Sequence, residues 1–560
     1  MKFSEIPYSR PDVDAMIEKI TALTAEFSAA DSAEKQLEIF REFEVEKGHF
    51  STMSCISNIR NSIDSNEPFY IDEQAFYDSC TPKATQCFTA FEKAVLESSF
   101  KAELRKVLGD YYFDCMENGQ KTFCPEIMDL MAEENALCSK YEAIYASARI
   151  EFDGKICNIS QLSAYRQSPD REVRRAAIEA EGKFFDSHRE EIEGIYDRLV
   201  KNRTQQAKIL GFESYVDMAY LMRNRSYTRE DVAKFRAQIL DIIVPKTVEY
   251  KKQQAEAIGV DDFKFIDNDF MFADGNPDPK YPVPEILKRT RQMFGEMSAE
   301  TKELIDLMCE GELFDIEPRN GKRNAGYCVC IEDYGYPFIF FNANGTAHDV
   351  ETLTHECGHA LNSYLNTKEI PYSSIRHAPM EACETHSMSM EFLTTPWHHL
   401  FFEEDTAKYS ESHAKGALYF IPYSIIVDYY QELVYSNPDW TPEERNNCWL
   451  ELEKQFRPYI DFDNLPFYSR GGGWQRQIHI TCMPFYYIDY TVAQTMALQF
   501  FALHLKDAEA AWKKYIKFVK IGGRMDINQH IEHCGLVSPF DENGLAEICR
   551  PVFEWIENLK

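Results

Sequence analysis

Apolar positions recur every three to four residues along most of this chain, the period of an amphipathic helix. DVDAMIEKITALTAEFSAA and SAEKQLEIFREFEVEKGHF carry that period between charged residues, and residues 11 to about 150 are predicted helical nearly throughout. SIDSNEPF at 62–69 punctuates this run, and a long helix is expected over FCPEIMDLMAEENALCSKYEAIYASARIEF, with Pro125 near its start. A short strand-like piece, ARIEFDGKICNI, follows. The block from Ser168 to Gly211 reads as a further helical stretch, with Ser168 as N-cap and Gly211 as its stop. In TREDVAKFRAQILDIIVPKTVEYKKQQAEAIG, Pro245 marks a kink or a break. Residues 260–284, rich in Asp and Pro, read as loop.

One stretch changes period. GKRNAGYCVCIEDYGYPFIFFNANGT alternates, carries aromatic and β-branched residues, and has glycines where turns need them. It predicts a small β region directly before the segment HDVETLTHECGHALNSYL, and helix resumes after 380. The pattern describes a mainly α protein with a small sheet beside one helix. We divide it into an N-terminal helical domain, 1–150, and a larger helical domain, 151–560, that holds the candidate chemistry.

A chain of 560 residues exceeds one ordinary core, and 44% hydrophobic with 14% aromatic residues gives ample interior material. The formal net charge of −32 opposes binding to phosphate backbones or anionic lipid, so neither nucleic acid nor membrane is an expected partner. No apolar run of 18 residues occurs, and MKFSEIPYSRPDVDAMIEKI lacks a signal-type apolar core. The sixteen cysteines are scattered without a CxxC pair, which suits reduced thiols and a cytoplasmic location. Cys328 and Cys330 would face one side of a strand and are read as packing residues.

The candidate chemistry lies in TLTHECGHALNSYL. His355 and His359 stand four apart, hence on one helix face, where both imidazoles reach one ion. Zn²⁺ takes nitrogen ligands readily and, in catalytic sites, three protein ligands plus an open position. Glu356, next to the first histidine, is placed as general base toward a water on that ion. Gly358 leaves room for a close approach of sheet or substrate. Positions 362 and 365 are Asn362 and Leu365, so no third histidine follows nearby. The acids available as third ligand are Glu381, Glu384 and Glu391 in HAPMEACETHSMSMEF, and spacing alone does not choose among them.

The run DVETLTHECGHALNSYL, followed by PMEACETHSMSMEFL, resembles the oligoendopeptidase F and thimet oligopeptidase family of zinc peptidases, nearest its bacterial oligoendopeptidase branch. The resemblance implies a helical zincin-type fold with a deep substrate channel and one Zn²⁺ per chain. It implies Glu384 as the third ligand, 25 residues after His359, and leaves Glu391 as a supporting acid. RGGGWQRQIHITCMPFYYIDYTVAQ at 470–494 resembles the family's substrate-contacting segment, which implies that His479, Tyr487 and Tyr490 contact the reacting carbonyl, with Tyr486 the alternative to Tyr487.

The expected function is a metalloendopeptidase acting on short oligopeptides. Tyrosine hydroxyls and a donor histidine suit an oxyanion. Glu351 and Asp349 are candidates for orienting the ligand imidazoles, or for helix N-terminal acids. GYPFIFFNANG at 335–345 is the expected free strand edge for pairing with a peptide. Two alternatives remain open at this stage. A dipeptidyl carboxypeptidase would need Arg470 or Arg476 on a terminal carboxylate, and a peptide-binding protein without turnover would have no use for Glu356.

Overall fold

The computed structural model describes residues 1–559. Helices dominate, and the strands are short: β1 (Ile150–Phe152), β2 (Lys155–Cys157), β3 (Phe314–Asp315), β4 (Tyr327–Ile331) and β5 (Tyr336–Phe340). The sequence signals that start helices do so here. Ser32 accepts from the Lys35 N–H at the head of Ala33–Ile63. Thr441 and Glu444 cap each other at the head of Pro442–Phe456, with Pro442 in the first turn where its missing N–H costs nothing. The break at SIDSNEPF is real: one helix ends at Ile63 and the next begins at Pro68.

Two of the helix expectations are corrected. The Ser168–Gly211 block is two helices, Arg171–Ser187 and Arg189–Ile209, interrupted at His188. Its cap is Asp170, which accepts from the Glu172 N–H. Ser168 precedes Pro169 and is held extended by the proline ring, so the cap moves two residues on. Pro245 does not break its helix. A π turn at Ile239–Ile243 joins Arg229–Gln238 to Val244–Ala257, and the wider turn makes room for the ring.

β1 and β2 form an antiparallel hairpin closed by Asp153 and Gly154, both at positive φ, as a tight right-twisting turn requires. The second sheet runs in the order β3-β5-β4. β5 is antiparallel to β4, from Tyr327 opposite Phe340 to Ile331 opposite Tyr336, and parallel to β3. The stretch 335–345 therefore holds the central strand and not a free edge. Its own composition explains this: Pro337, Phe338, Ile339 and Phe340 are all buried, as a strand covered on both faces must be. Cys328 and Cys330 lie on β4 as packing residues, and burial raises both thiols.

The chain forms two compact units, each assembled from three stretches. The first comprises Met1–Glu117, Asp278–Thr406 and Met496–Leu536. It holds the three-stranded sheet and the HExxH helix. The second comprises Asn118–Pro277, Ala407–Thr495 and the stretch from Val537 onward. One of its cores gathers Leu137, Tyr141, Ile178, Phe185, Leu199 and Phe467. Among the described residues, no helix is long and apolar enough to cross a membrane.

Candidate active site

In the first unit, the loop after β5 turns into the helix His348–Glu369. Asp349 shapes that turn by accepting from the N–H groups of Asn344 and Gly345, at 2.8 and 2.7 Å. Along the helix Val350, Leu353, Cys357, Ala360, Leu361 and Tyr364 are buried at three-to-four spacing. This apolar stripe fixes the helix's rotation and leaves His355 and His359 on an adjacent, half-buried face.

A second helix, Met380–Leu393, supplies the facing acids. Nε2 of His355 lies 3.4 Å from Glu384 Oε2, and Nε2 of His359 lies 3.6 Å from the same oxygen. One donor atom from each of these three residues falls within 4.8 Å of the others. Two imidazole nitrogens and one carboxylate oxygen converging in this way could hold a metal ion. Glu391 Oε1 sits 2.8 Å from Nδ1 of His355, on the side of the ring away from Glu384. A carboxylate there orients the ring and keeps Nε2 free for an ion. The other two acids in question have other surroundings. Glu381 is buried outside the donor set, and Glu351 lies 3.4 Å from His348.

Gly358 sets the distance between the two helices. A Cβ there would lie 2.6 Å from both the His386 carbonyl oxygen and the Ser387 Cα. The close neighbour is thus the backbone of the Glu384 helix, not sheet or substrate. The absent side chain lets the helix that carries Glu384 lie against the one that carries His355 and His359.

Glu356 is 8% exposed, and its Oε2 has no hydrogen-bond partner. Burial, and then repulsion from Glu384 and Glu391, pushes its carboxyl up to about 7. Burial alone would raise Glu384 too, but the hydrogen bond from His355, and then the nearness of both imidazoles, pull it down to about 2. Burial drives His359 to about 4, so its ring is neutral at neutral pH. Burial also opposes charge on His355, but Glu384 and Glu391 outweigh it and hold its pKa well above the ordinary value. A buried carboxylate with an unpartnered oxygen is costly unless something draws on it. A cation in the donor set would do so, and the residues fit one.

The second unit gathers the other expected residues. His479 lies against Tyr486, Tyr487 and Tyr490, with ring centroids 5.8, 4.8 and 6.2 Å away. Tyr486 is buried beneath the Arg223 guanidinium, whereas Tyr487 and Tyr490 are only half-buried. Burial, then the charge of Arg223, lowers His479 to about 4, so the ring is neutral. Gln477 holds it: Nε2 lies 2.6 Å from His479 Nδ1, and Oε1 accepts from the Tyr423 hydroxyl at 2.8 Å. With the amide so oriented, Nδ1 accepts and the ring proton sits on Nε2. Sequence reasoning missed Gln477 and Tyr423. Tyr423 comes from a helix 54 positions away, and nothing local to it signals this contact.

Residues 164–549 match the family described as peptidase family M3, and residues 3–123 match the peptidase M3 N-terminal domain. The chain belongs to peptidase family M3. A solved structure of PZ peptidase A with an inhibitor is 39% identical, with 99% of each chain covered and a TM-score of 0.92. Among curated M3 relatives, oligopeptidase PepF of Bacillus subtilis is 23% identical over 444 residues, 76% of this chain and 60% of its own length. Oligoendopeptidase F of Lactococcus lactis subsp. cremoris is 26% identical over 210 residues, 37% of this chain and 33% of its own. The chain thus spans between a third and three fifths of the length of the curated relatives it matches. The M3 membership and the helical fold agree with the resemblance drawn from the motifs.

Proposed function

We propose that this M3 protein is a zinc-dependent metalloendopeptidase that hydrolyses short oligopeptides in the cytoplasm. The observation that carries the reading is the buried Glu356 carboxylate, its Oε2 without a partner, beside the cluster of His355, His359 and Glu384. Those three residues would hold one zinc ion per chain, which when bound polarises a peptide carbonyl and acidifies water. Glu391 keeps the His355 ring in its ligand tautomer. Glu356 removes a proton from the attacking water and returns it to the leaving amine, and its raised basicity suits a base working near neutral pH. His479, with its proton on Nε2, and the hydroxyls of Tyr487 and Tyr490 are assigned as donors to the oxyanion that develops on the scissile carbonyl.

The alternatives are less well supported. Arg470 is engaged by Asp186 at 2.8 Å and Gln475 at 2.9 Å, with Glu193 3.5 Å away, and Arg476 pairs with Glu181 at 3.0 and 3.1 Å, so neither is held ready for a substrate carboxylate. A binder without turnover gains nothing from burying Glu356. The test is Glu356→Gln. A peptidase loses turnover of a quenched peptide while retaining zinc, whereas a binding protein keeps its peptide affinity and has no turnover to lose.

A further inference from the structure

Two cysteines of the second unit meet at a helix contact that the chemistry above does not use. Cys138 lies on the helix Met128–Ala146, and Cys482 ends the five-residue helix Ile478–Cys482 that carries His479. Their side chains cross. Cys138 Sγ lies 3.8 Å from the Thr481 carbonyl oxygen, and Cys482 Sγ lies 3.8 Å from the carbonyl oxygen of Cys138. The two thiols also hydrogen-bond each other. Both residues are half-buried free thiols, within reach of a small solute.

Arg203 makes Cys138 the more reactive of the two. Its guanidinium is fully buried, with Nη2 3.8 Å from Cys138 Sγ and donating to the Thr481 carbonyl at 2.8 Å. Glu134 accepts from Nε at 2.7 Å, and the Tyr435 hydroxyl accepts from Nη1 at 2.8 Å. A cation against a sulfur favours the thiolate, the form that attacks an oxidant. The hydrogen bond from Cys482, and then Arg203, hold the Cys138 thiol below its ordinary range, against burial and the charges of Glu134 and Glu142. At Cys328 and Cys330 burial raises both thiols instead.

We propose that Cys138 and Cys482 are an oxidisable pair that a small hydroperoxide closes into a reversible disulfide, and that closure lowers turnover by displacing His479. Its effect on turnover rests on the peptidase reading, and the bond itself does not. With hydrogen peroxide, the Cys138 thiolate attacks one oxygen, the O–O bond breaks, and the departing hydroxide takes the proton that Cys138 gave up. Cys482 Sγ then attacks the sulfur of the resulting sulfenic acid. The S–O bond breaks, the S–S bond forms, and hydroxide leaves as water with the Cys482 proton. Two thiols and one peroxide give one disulfide and two waters, and a dithiol reverses the change by exchange. The covalent bond draws the sulfurs well inside hydrogen-bonding separation. The segment before the short helix is already tied to Met128–Ala146, where the Tyr141 hydroxyl donates to the Gln475 carbonyl at 2.8 Å. Closure therefore pulls on the short helix three residues from His479. A displacement of about 1 Å in a positioned group costs about 10²-fold in rate.

The test treats the intact enzyme with a small excess of hydrogen peroxide, blocks the remaining thiols, and maps linked peptides by mass spectrometry beside turnover of a quenched peptide. We expect a Cys138–Cys482 linked peptide within one chain, kcat about 10²-fold lower, and recovery of both with dithiothreitol. Cys138→Ser and Cys482→Ser should keep the wild-type kcat before peroxide and resist its loss afterwards. No linked peptide, or linkage of either cysteine to another thiol or to a second chain, would overturn the pair. A linked peptide with unchanged kcat, or variants inactivated as fully as the wild type, would overturn its control of His479. No turnover by the reduced enzyme would instead overturn the peptidase reading, and the peptide map would still decide the pair.

Discussion

At the scale of the residue, the account rests on charges placed where water is scarce. Glu356→Gln keeps the shape of the site but removes the base, and kcat should fall at least 10²–10⁴-fold with zinc content unchanged, read by metal analysis beside turnover. Glu391→Gln should leave the fold in place and weaken zinc binding about 10–100-fold in a competition titration, because Nδ1 of His355 loses its charged partner. Lys251 gives a test of stability alone. Its ammonium is buried among Gln254, the Asn268 carbonyl and the Tyr419 ring, and burial lowers its pKa to about 7. The unfolded lysine binds a proton below its ordinary 10.5, the folded one only below about 7. Between those values unfolding takes up a proton, so this group makes stability rise with pH. Lys251→Met should flatten that rise in denaturant titrations at pH 7 and pH 9. That His355 and His359 share a face was legible in the sequence because a helix brings residues four apart onto one side. Glu384 was not separable from Glu381 and Glu391 by spacing, since helix periodicity puts all three near one stripe and only the facing helix selects among them.

At the scale of the element, the site depends on two helices brought into backbone contact. Gly358→Ala adds one carbon where 2.6 Å is available, and both close atoms belong to main chain that cannot rotate away. The helices must separate, so we expect about 1–3 kcal/mol of lost stability together with weaker zinc binding, measured by thermal unfolding with and without metal. A Gly in HExxH sequence context reads as permissive, but its neighbour is invisible until the fold places it. The same holds for β5. Its alternation announces a strand, yet strand order is set by which segment returns beside it, and β3 comes from a two-residue stretch too short to show a pattern. Pro245 teaches the reverse point: the residue type was a correct sign of irregularity, and the backbone answered with a π turn rather than a break.

At the scale of the whole molecule, helical periodicity described the architecture well, because amphipathic faces are encoded locally. How the segments gather was not encoded that way. Each compact unit takes three stretches of chain, and no local signal tells which helices hundreds of residues apart will share a core. The measurement that bears most directly on this account is zinc content followed against peptide cleavage through chelation and re-addition of metal. We expect one zinc per chain, loss of cleavage in step with loss of metal, and recovery of both on adding one equivalent. A chain that binds no zinc, or that cuts peptides equally well after complete removal of metal, would contradict it.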